Sequence, residues 1–184
     1  MNVDFIKNVQ IIGTGIAIPA RLVLSSEIDQ QQGLKVGTTE KLTGITLRHY
    51  ATTESATDLA VIAIEQALQL STIPLEKIDC LISASGTLEQ AIPCNAAKIH
   101  RRLNLTRPIP AFDINMTCLS SLMAMDLAAT MIASGQYENI LVASADIASV
   151  GIDWSDRETG GLLDRKSTRL NSSHVALSRM PSSA

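Results

Sequence analysis

The chain has 184 residues, of which 46% are hydrophobic and 18% charged, and its formal net charge at pH 7 is −3. This size and composition predict one folded globular unit. The slightly acidic balance argues against nucleic-acid binding, which normally rests on a basic face. No apolar run reaches the roughly 18 residues that a membrane-spanning helix needs, so we expect no contact with a membrane.

Three widely spaced cysteines, Cys80, Cys94 and Cys118, are present. An odd number at such spacing argues against a disulfide framework and against a Cys-x-x-Cys metal site. The N-terminus lacks the long apolar stretch of a secretory signal peptide. These observations favour a cytoplasmic protein whose thiols stay reduced, with no bound metal.

The first apolar segment runs from Val9 to Ile18 and contains glycines at positions 13 and 15. It lacks the third glycine of a dinucleotide-binding loop, so we interpret the glycines as a tight turn rather than a phosphate site. Residues 25–27 are typical of a helix start. The alternating residues 42–50 predict a strand.

From residue 56 onwards, short apolar strands alternate with helices. The pattern predicts helices over residues 56–70, 94–105 and 118–134, and strands over residues 78–83, 109–114 and 139–145. Cys80 falls in the first of these strands and is most simply a core residue. The alternation favours an α/β fold with a mostly parallel sheet covered by helices on both faces.

Cys118 stands between a predicted strand and a helix that reads LSSLMAMDLAATMIASG, in which Asp126 alone is charged. A helix that is apolar nearly all round belongs in a protein interior. The free amides and positive dipole at a helix start can stabilise a thiolate and an oxyanion formed from a thioester. Cys118 is therefore a candidate nucleophile for acyl transfer. By position alone Cys94 is another candidate, and a lone cysteine in an apolar segment is more often core packing.

The last twenty residues, 165–184, are serine-rich and have no sustained period. Their composition predicts a disordered tail. They also resemble translated cloning-junction sequence, so we expect native sequence to end near Asp164. The chain then divides into residues 1–164 and a disordered, non-native tail, residues 165–184.

Five segments occur in one order: GTGIAIP, LTGITLRHY, ISASGTLEQAIPCNAAKIHRRLNL, PAFDINMTCLSSLMAMDLA and the block from ENILVASADIAS to DWSDRETGG. In that order, residues 9–163 resemble the N-terminal half of 3-oxoacyl-[acyl-carrier-protein] synthase III and its thiolase-like relatives. The resemblance implies a thiolase-like α/β/α/β/α fold, of which the chain holds the N-terminal half only. The helix after Cys118 would be one of its central helices.

The resemblance also implies a chemistry. Cys118 would accept an acyl group from acyl-CoA, and a decarboxylating condensation with malonyl-acyl carrier protein would extend that group. Acyl-CoA and acyl carrier protein would be the partners, the full-length protein would be a homodimer, and no organic cofactor or metal is expected. Cys94 corresponds to a non-catalytic position.

Some family positions differ or are missing. Arg157, in DWSDRETGG, matches an arginine that holds coenzyme A in the family, although a solvated surface charge is the alternative. Thr38 and Leu42 stand where family members carry a tryptophan and an arginine that bind coenzyme A.

The family's catalytic histidine and asparagine lie in its C-terminal half. His49, His100 and His174 match neither, and structural or solvated roles are expected for all three. We therefore expect the 184-residue chain to be inactive in condensation and to expose part of a hydrophobic layer.

Two alternatives remain open. One is a related synthase that uses the same cysteine on other thioesters, of the quinolone, polyketide or hydroxymethylglutaryl-CoA-synthase type. The other is a non-catalytic partner subunit of an active homologue. The presence of Cys118 argues against the second, since a non-catalytic subunit does not need the nucleophile.

Overall fold

The computed structural model describes residues 8–147 and the main chain of residues 173–179. The strands are β1 (Val9–Ile16), β2 (Arg21–Leu24), β3 (Leu47–Tyr50), β4 (Cys80–Ser83), β5 (Ala111–Asp113), β6 (Asn139–Ala143) and β7 (Ser173–Arg179). The helices are α1 (Ser25–Gln31), α2 (Thr38–Thr43), α3 (Ala56–Ser71), α4 (Asn95–Arg102) and α5 (Ser120–Ala133). One-turn 3-10 helices lie at Leu75–Lys77 and Thr117–Leu119.

The main sheet has five strands in the order β1-β7-β6-β4-β5. β4 runs parallel to both β5 and β6, as the alternation of strands and helices predicts. β7 runs antiparallel to β6 and to β1, so the complete sheet is mixed. Strands β2 and β3 form a separate antiparallel ribbon.

Helices cover both faces of the sheet, as predicted. Strand β4 is buried throughout, and its side chains alternate between two core clusters. Leu81 packs on the side of α3 and α4, with Ala60, Ile64 and Ile99. Cys80 and Ile82 pack on the side of α5, with Ala124, Ala128 and Ile132. Cys80 is therefore a core residue, as the sequence indicates.

Strand β1 lies directly against the backbone of α3. A Cβ atom on Gly13 would be 2.2 Å from the carbonyl oxygen of Ala67, and one on Gly15 would be 1.9 Å from that of Ala63. The tight-turn interpretation of these glycines was wrong, because both lie inside the strand. Glycine is needed there because strand and helix backbones approach too closely for a side chain.

Helix α3 begins with a capping box. The hydroxyl of Ser55 accepts from the Asp58 amide at 3.1 Å, and the Asp58 carboxylate accepts from the Ser55 amide at 3.1 Å. This exchange satisfies free amides at the helix start. The helix spans Ala56–Ser71, one residue longer than predicted.

The segment predicted as a strand over residues 42–50 is a strand only from Leu47. Its first residues belong to α2, which ends at Gly44 with a left-handed φ of 71°. The buried carboxylate of Asp29 accepts from the amides of Gly37 and Thr39 and so stabilises the start of α2. That contact comes from α1, so alternation along residues 42–50 alone did not indicate it.

Disorder was predicted for residues 165–184, whereas Ser173–Arg179 form β7 between β1 and β6. Main-chain groups along β1 and β6 need hydrogen-bond partners, and an extended segment can satisfy both strands at once. Amino-acid composition gives no information on such strand pairing. The other residues of this range and the expected boundary at Asp164 lie outside the described residues, and a non-native origin stays a prediction.

Candidate active site

Cys118 lies where the sequence places it, at the start of the helix that follows β5. It is the middle residue of the 3-10 turn Thr117–Leu119, which leads directly into α5. Its side chain is exposed, whereas Cys94 is half-buried and Cys80 is buried. Cys118 is therefore the cysteine most accessible to a reagent among the three.

The residue before Cys118 has an unusual backbone conformation. Thr117 has a φ of 52°, in the left-handed region that β-branched residues rarely adopt. Its amide donates to Oδ1 of Asn115 at 3.1 Å, and its hydroxyl donates to the carbonyl of Met116 at 2.7 Å. We call residues 115–118 the cysteine elbow, because the chain changes direction there between β5 and α5.

Ser120, in the first turn of α5, ties the elbow to the helix. Its hydroxyl accepts from the Met116 amide at 2.9 Å and donates to the Thr117 carbonyl at 2.8 Å. The Ser120 side chain is buried. The elbow is thus bonded to a buried group on the helix that it precedes.

Loops from the neighbouring strands close around the elbow. The Asn115 side-chain amide donates to the Gly86 carbonyl at 3.4 Å, and a Cβ on Gly86 would be 3.3 Å from Thr117 Cα. The Thr87 amide and hydroxyl both donate to Asp146 at 2.7 Å. The loops after β4, β5 and β6 therefore meet at the carboxyl edge of the parallel strands, where α/β proteins bind ligands.

Asp113, the last residue of β5, stabilises the start of α4. Its carboxylate accepts from the Asn95 amide at 2.9 Å and from the Ala96 amide at 2.7 Å. The contact places Cys94, the residue before α4, at the same carboxyl edge of the sheet as the elbow. Sequence reasoning missed this role. The absence of an acidic residue in the first turn of α4 was the available signal.

The buried cysteine has a different electrostatic environment. Burial, assisted by the neighbouring charge of Asp79, raises the pKa of the Cys80 thiol to about 11. Because the thiolate is the nucleophilic form, Cys80 is unreactive near neutral pH.

The other predicted residues lie apart from the elbow. The His49 ring donates from Nδ1 to the Pro19 carbonyl at 2.8 Å, so it has a structural role in the β2–β3 ribbon. For His100 a structural or solvated role was expected. It is half-buried in α4, and its Nε2 is buried without a hydrogen-bond partner among the described residues. His174 belongs to β7, where its main chain pairs with Gly15.

The two positions at which family members carry a tryptophan and an arginine lie at the start and near the end of α2. Thr38 is the first residue of α2, and Leu42, near its end, is 74% exposed. Arg157 lies outside the described residues, so its contact with coenzyme A stays a prediction.

Neither a metal cluster nor a membrane-crossing segment is found in the described part of the chain. No group of three or more His, Cys, Asp or Glu residues is placed to hold a metal ion there. Within the same residues, every helix is too short or too polar to cross a membrane.

The chain is similar to a known family in sequence. Residues 112–164 match the sequence profile of 3-oxoacyl-[acyl-carrier-protein] synthase III. A beta-ketoacyl-[acyl-carrier-protein] synthase III of Rickettsia felis is 32% identical over 151 residues, and one of Neisseria meningitidis is 34% identical over 155. Each alignment covers 82% of this chain and 47% of the relative. The chain therefore spans about half the length of the curated relatives it matches.

Solved structures show the same likeness. The 3-oxoacyl-[acyl-carrier-protein] synthase III of Aquifex aeolicus superposes with a TM-score of 0.83 at 28% identity, over 93% of this chain and 54% of that one. The priming β-ketosynthase of the R1128 polyketide pathway has a TM-score of 0.83 at 22% identity, over 97% and 52% of the two chains. These likenesses confirm the predicted thiolase-like α/β fold class.

Proposed function

Because the chain belongs to the 3-oxoacyl-[acyl-carrier-protein] synthase III family, we propose that it carries the acyl-accepting part of a condensing acyltransferase. Such an enzyme primes fatty-acid or polyketide synthesis. The observation that carries the proposal is the placement of Cys118, an exposed thiol at the start of α5 and at the carboxyl edge of the parallel strands. The resemblance of the FDINMTC segment to the family implies the same residue.

The first step of the proposed reaction is acyl transfer. The Cys118 thiolate attacks the thioester carbonyl of acyl-CoA, forming a new carbon–sulfur bond and an oxyanion. The intermediate collapses, the coenzyme A thiolate leaves, and it takes up the proton that Cys118 released. Amides and the positive dipole at the start of α5 stabilise both the attacking thiolate and the oxyanion.

The second step is a condensation with malonyl-acyl carrier protein. Loss of carbon dioxide generates a carbanion that attacks the acyl-cysteine carbonyl, a carbon–carbon bond forms, and the Cys118 thiolate leaves to release the 3-oxoacyl-acyl carrier protein. Stabilising that carbanion requires further polar groups near the acyl-cysteine. His49 lies in β3, His100 in α4 and His174 in β7, and none of these elements contains the elbow. We therefore propose that this chain, on its own, accepts an acyl group but does not complete the condensation.

The proposal includes the expected partners. Acyl-CoA and acyl carrier protein are the substrates, Arg157 contacts coenzyme A, and the full-length protein is a cytoplasmic homodimer. No organic cofactor takes part, since thioester exchange and decarboxylation of a malonyl group need none.

Mass spectrometry of the chain after incubation with acyl-CoA tests the proposal. We expect an acyl adduct on the Cys118 peptide that hydroxylamine removes, because a thioester is cleaved by that nucleophile. Cys118→Ala should abolish the adduct, and the matched control Cys94→Ala should keep it. A panel of acyl-CoA thioesters would separate a priming synthase from related synthases.

Two results would contradict the proposal. The absence of an adduct on every cysteine would favour a non-catalytic partner subunit. A 3-oxoacyl product after addition of malonyl-acyl carrier protein would show that the chain is active in condensation.

A further inference from the structure

We propose that Ser120 is the positioning residue of the candidate nucleophile. Its buried hydroxyl holds Thr117 in the left-handed conformation and so sets the direction in which the Cys118 side chain leaves the backbone. The inference rests on the proposed function, since it concerns the same thiol, but it can be tested without acyl transfer.

The first argument is geometric. The Ser120 hydroxyl bonds to the amide of Met116, which precedes Thr117, and to the carbonyl of Thr117 itself. One buried oxygen therefore holds main-chain groups on both sides of the Thr117 φ angle. Rotation of Thr117 out of the left-handed region would break at least one of these bonds.

The second argument is energetic. A β-branched residue with a φ of 52° is strained and keeps this conformation only where surrounding contacts impose it. The bonds of Thr117 to Asn115 and Met116 are exposed, so water competes for their donors and acceptors. The bonds of Ser120 are part-buried, and the residue is only 2% exposed, so they are the stronger constraint.

A purely helical role for Ser120 does not account for both bonds. A serine that donates to the carbonyl three residues earlier is common in helices. Ser120 also accepts from Met116, which lies before the 3-10 turn and outside α5. The second bond links the helix to the elbow, as a positioning role requires.

The test measures alkylation of Cys118 by iodoacetamide in the full chain, read at the peptide level with Cys94 as the internal reference. We expect Ser120→Ala to lower the rate at Cys118 by at least about fivefold, since the thiol loses its fixed place at the positive end of α5. Ser120→Thr, which keeps the hydroxyl, should restore most of the rate. Ser121→Ala, one residue later in α5, is the matched control and should react like the wild type.

Coupling to Thr117 gives a sharper test. Glycine adopts a left-handed φ without strain, so Thr117→Gly should make the Cys118 rate insensitive to Ser120→Ala. A merely structural serine would show no such coupling, because its loss would act equally in both backgrounds. An unchanged Cys118 rate in Ser120→Ala, or rate effects of the two changes that simply multiply, would overturn the proposal.

Loss of folding does not leave the proposal untested. If Ser120→Ala unfolds, Ser120→Thr and Ser120→Val form a pair of nearly equal size in which only threonine has the hydroxyl. A faster Cys118 rate with threonine supports the proposal, and equal rates overturn it. Because iodoacetamide needs no acyl-CoA site, an altered alkylation rate without acyl adducts would leave positioning intact while the proposed function fails.

Discussion

At the elbow, one residue has an unusual backbone conformation and another lies too close to it to carry a large side chain. Thr117 is left-handed, and Gly86 from the loop after β4 lies against it. A glycine at position 86 allows the loop backbone to approach the residue that precedes the candidate nucleophile. The backbone next to Cys118 is therefore shaped by neighbours that carry no reactive group.

Gly86→Ala should disturb the elbow. The added Cβ would lie 3.3 Å from Cα and the carbonyl oxygen of Thr117, so this backbone must move by a few tenths of an ångström. We expect a loss of about 1 kcal/mol in unfolding free energy and a changed alkylation rate at Cys118. Urea unfolding and peptide mass spectrometry measure the two effects. Wild-type values for both the unfolding free energy and the alkylation rate would contradict the prediction, because the loop would then have moved without loss of stability.

The three cysteines should differ in reactivity in the folded chain. At pH 8 we expect fast alkylation of the exposed Cys118, slower alkylation of the half-buried Cys94 and none of Cys80. Burial keeps Cys80 from reagents and raises its pKa to about 11, so it should react only after unfolding. Labelling with and without urea checks the order. Alkylation of native Cys80 at the rate of Cys118 would contradict the burial.

At the scale of elements, the contact between β1 and α3 places the first strand in the sheet. Gly13 and Gly15 let the strand backbone rest on the helix backbone. The Ser55–Asp58 capping box fixes the start of α3. The Glu54 carboxylate, just before this helix, accepts from the Ala20 amide. Substitutions at Gly15 and Glu54 test these two sets of contacts.

Gly15→Ala should destabilise the fold strongly. The new Cβ would be 1.9 Å from the Ala63 carbonyl oxygen, which belongs to the helix backbone and cannot rotate away. We expect a loss of roughly 3 kcal/mol in unfolding free energy, by denaturant titration. Thr14→Ala, at the exposed neighbouring position of β1, is the control and should change little. Equal effects of the two changes would argue against the close packing.

Glu54 should contribute to acid stability. Amide donors from Ala20, Thr52 and Thr53 hold the pKa of its carboxyl at about 2, below the ordinary 4.5. Because the folded-state pKa is lowered, this contribution is complete above about pH 4.5 and disappears as the pH falls towards 2.

The melting temperature of the wild type should therefore fall more steeply across that window than that of Glu54→Gln. Glu76→Gln, which changes the charge in a different turn, is the control. Parallel profiles for wild type and Glu54→Gln would contradict the prediction.

At the scale of the whole molecule, α5 has more apolar surface than the sheet covers. Its buried side packs on β4 and β6, but Leu122 and Met123 are 62% and 41% exposed, and Leu119, in the 3-10 turn that precedes α5, is 55% exposed. This confirms the expectation that the chain exposes part of a hydrophobic layer. Contiguous apolar surface of this kind favours association between molecules.

Leu122→Glu should reduce that association. We expect the wild type to self-associate with rising concentration in sedimentation velocity, and the variant to remain smaller at the same concentration, since a charge opposes burial of this face. Leu70→Glu, at an equally exposed leucine of α3, is the matched control. Association that both changes reduce equally would show that the α5 face is not its cause.

The sequence alone determined most elements from residue 56 onwards, the α/β class and the position of Cys118 at a helix start. These follow from local signals. Helical and strand periodicity acts over a few neighbouring residues. The family resemblance added the fold and the candidate chemistry in the same way, from ordered segments.

Only the tertiary structure decided the roles of Gly13, Gly15, Gly86 and Asp113 and the pairing of β7. Each depends on a segment distant along the chain: α3 for the first two glycines, the elbow for Gly86, the α4 amides for Asp113, and β1 and β6 for β7. Periodicity and composition report the neighbours of a residue along the chain. Backbone approach and strand pairing depend on how distant segments meet in three dimensions.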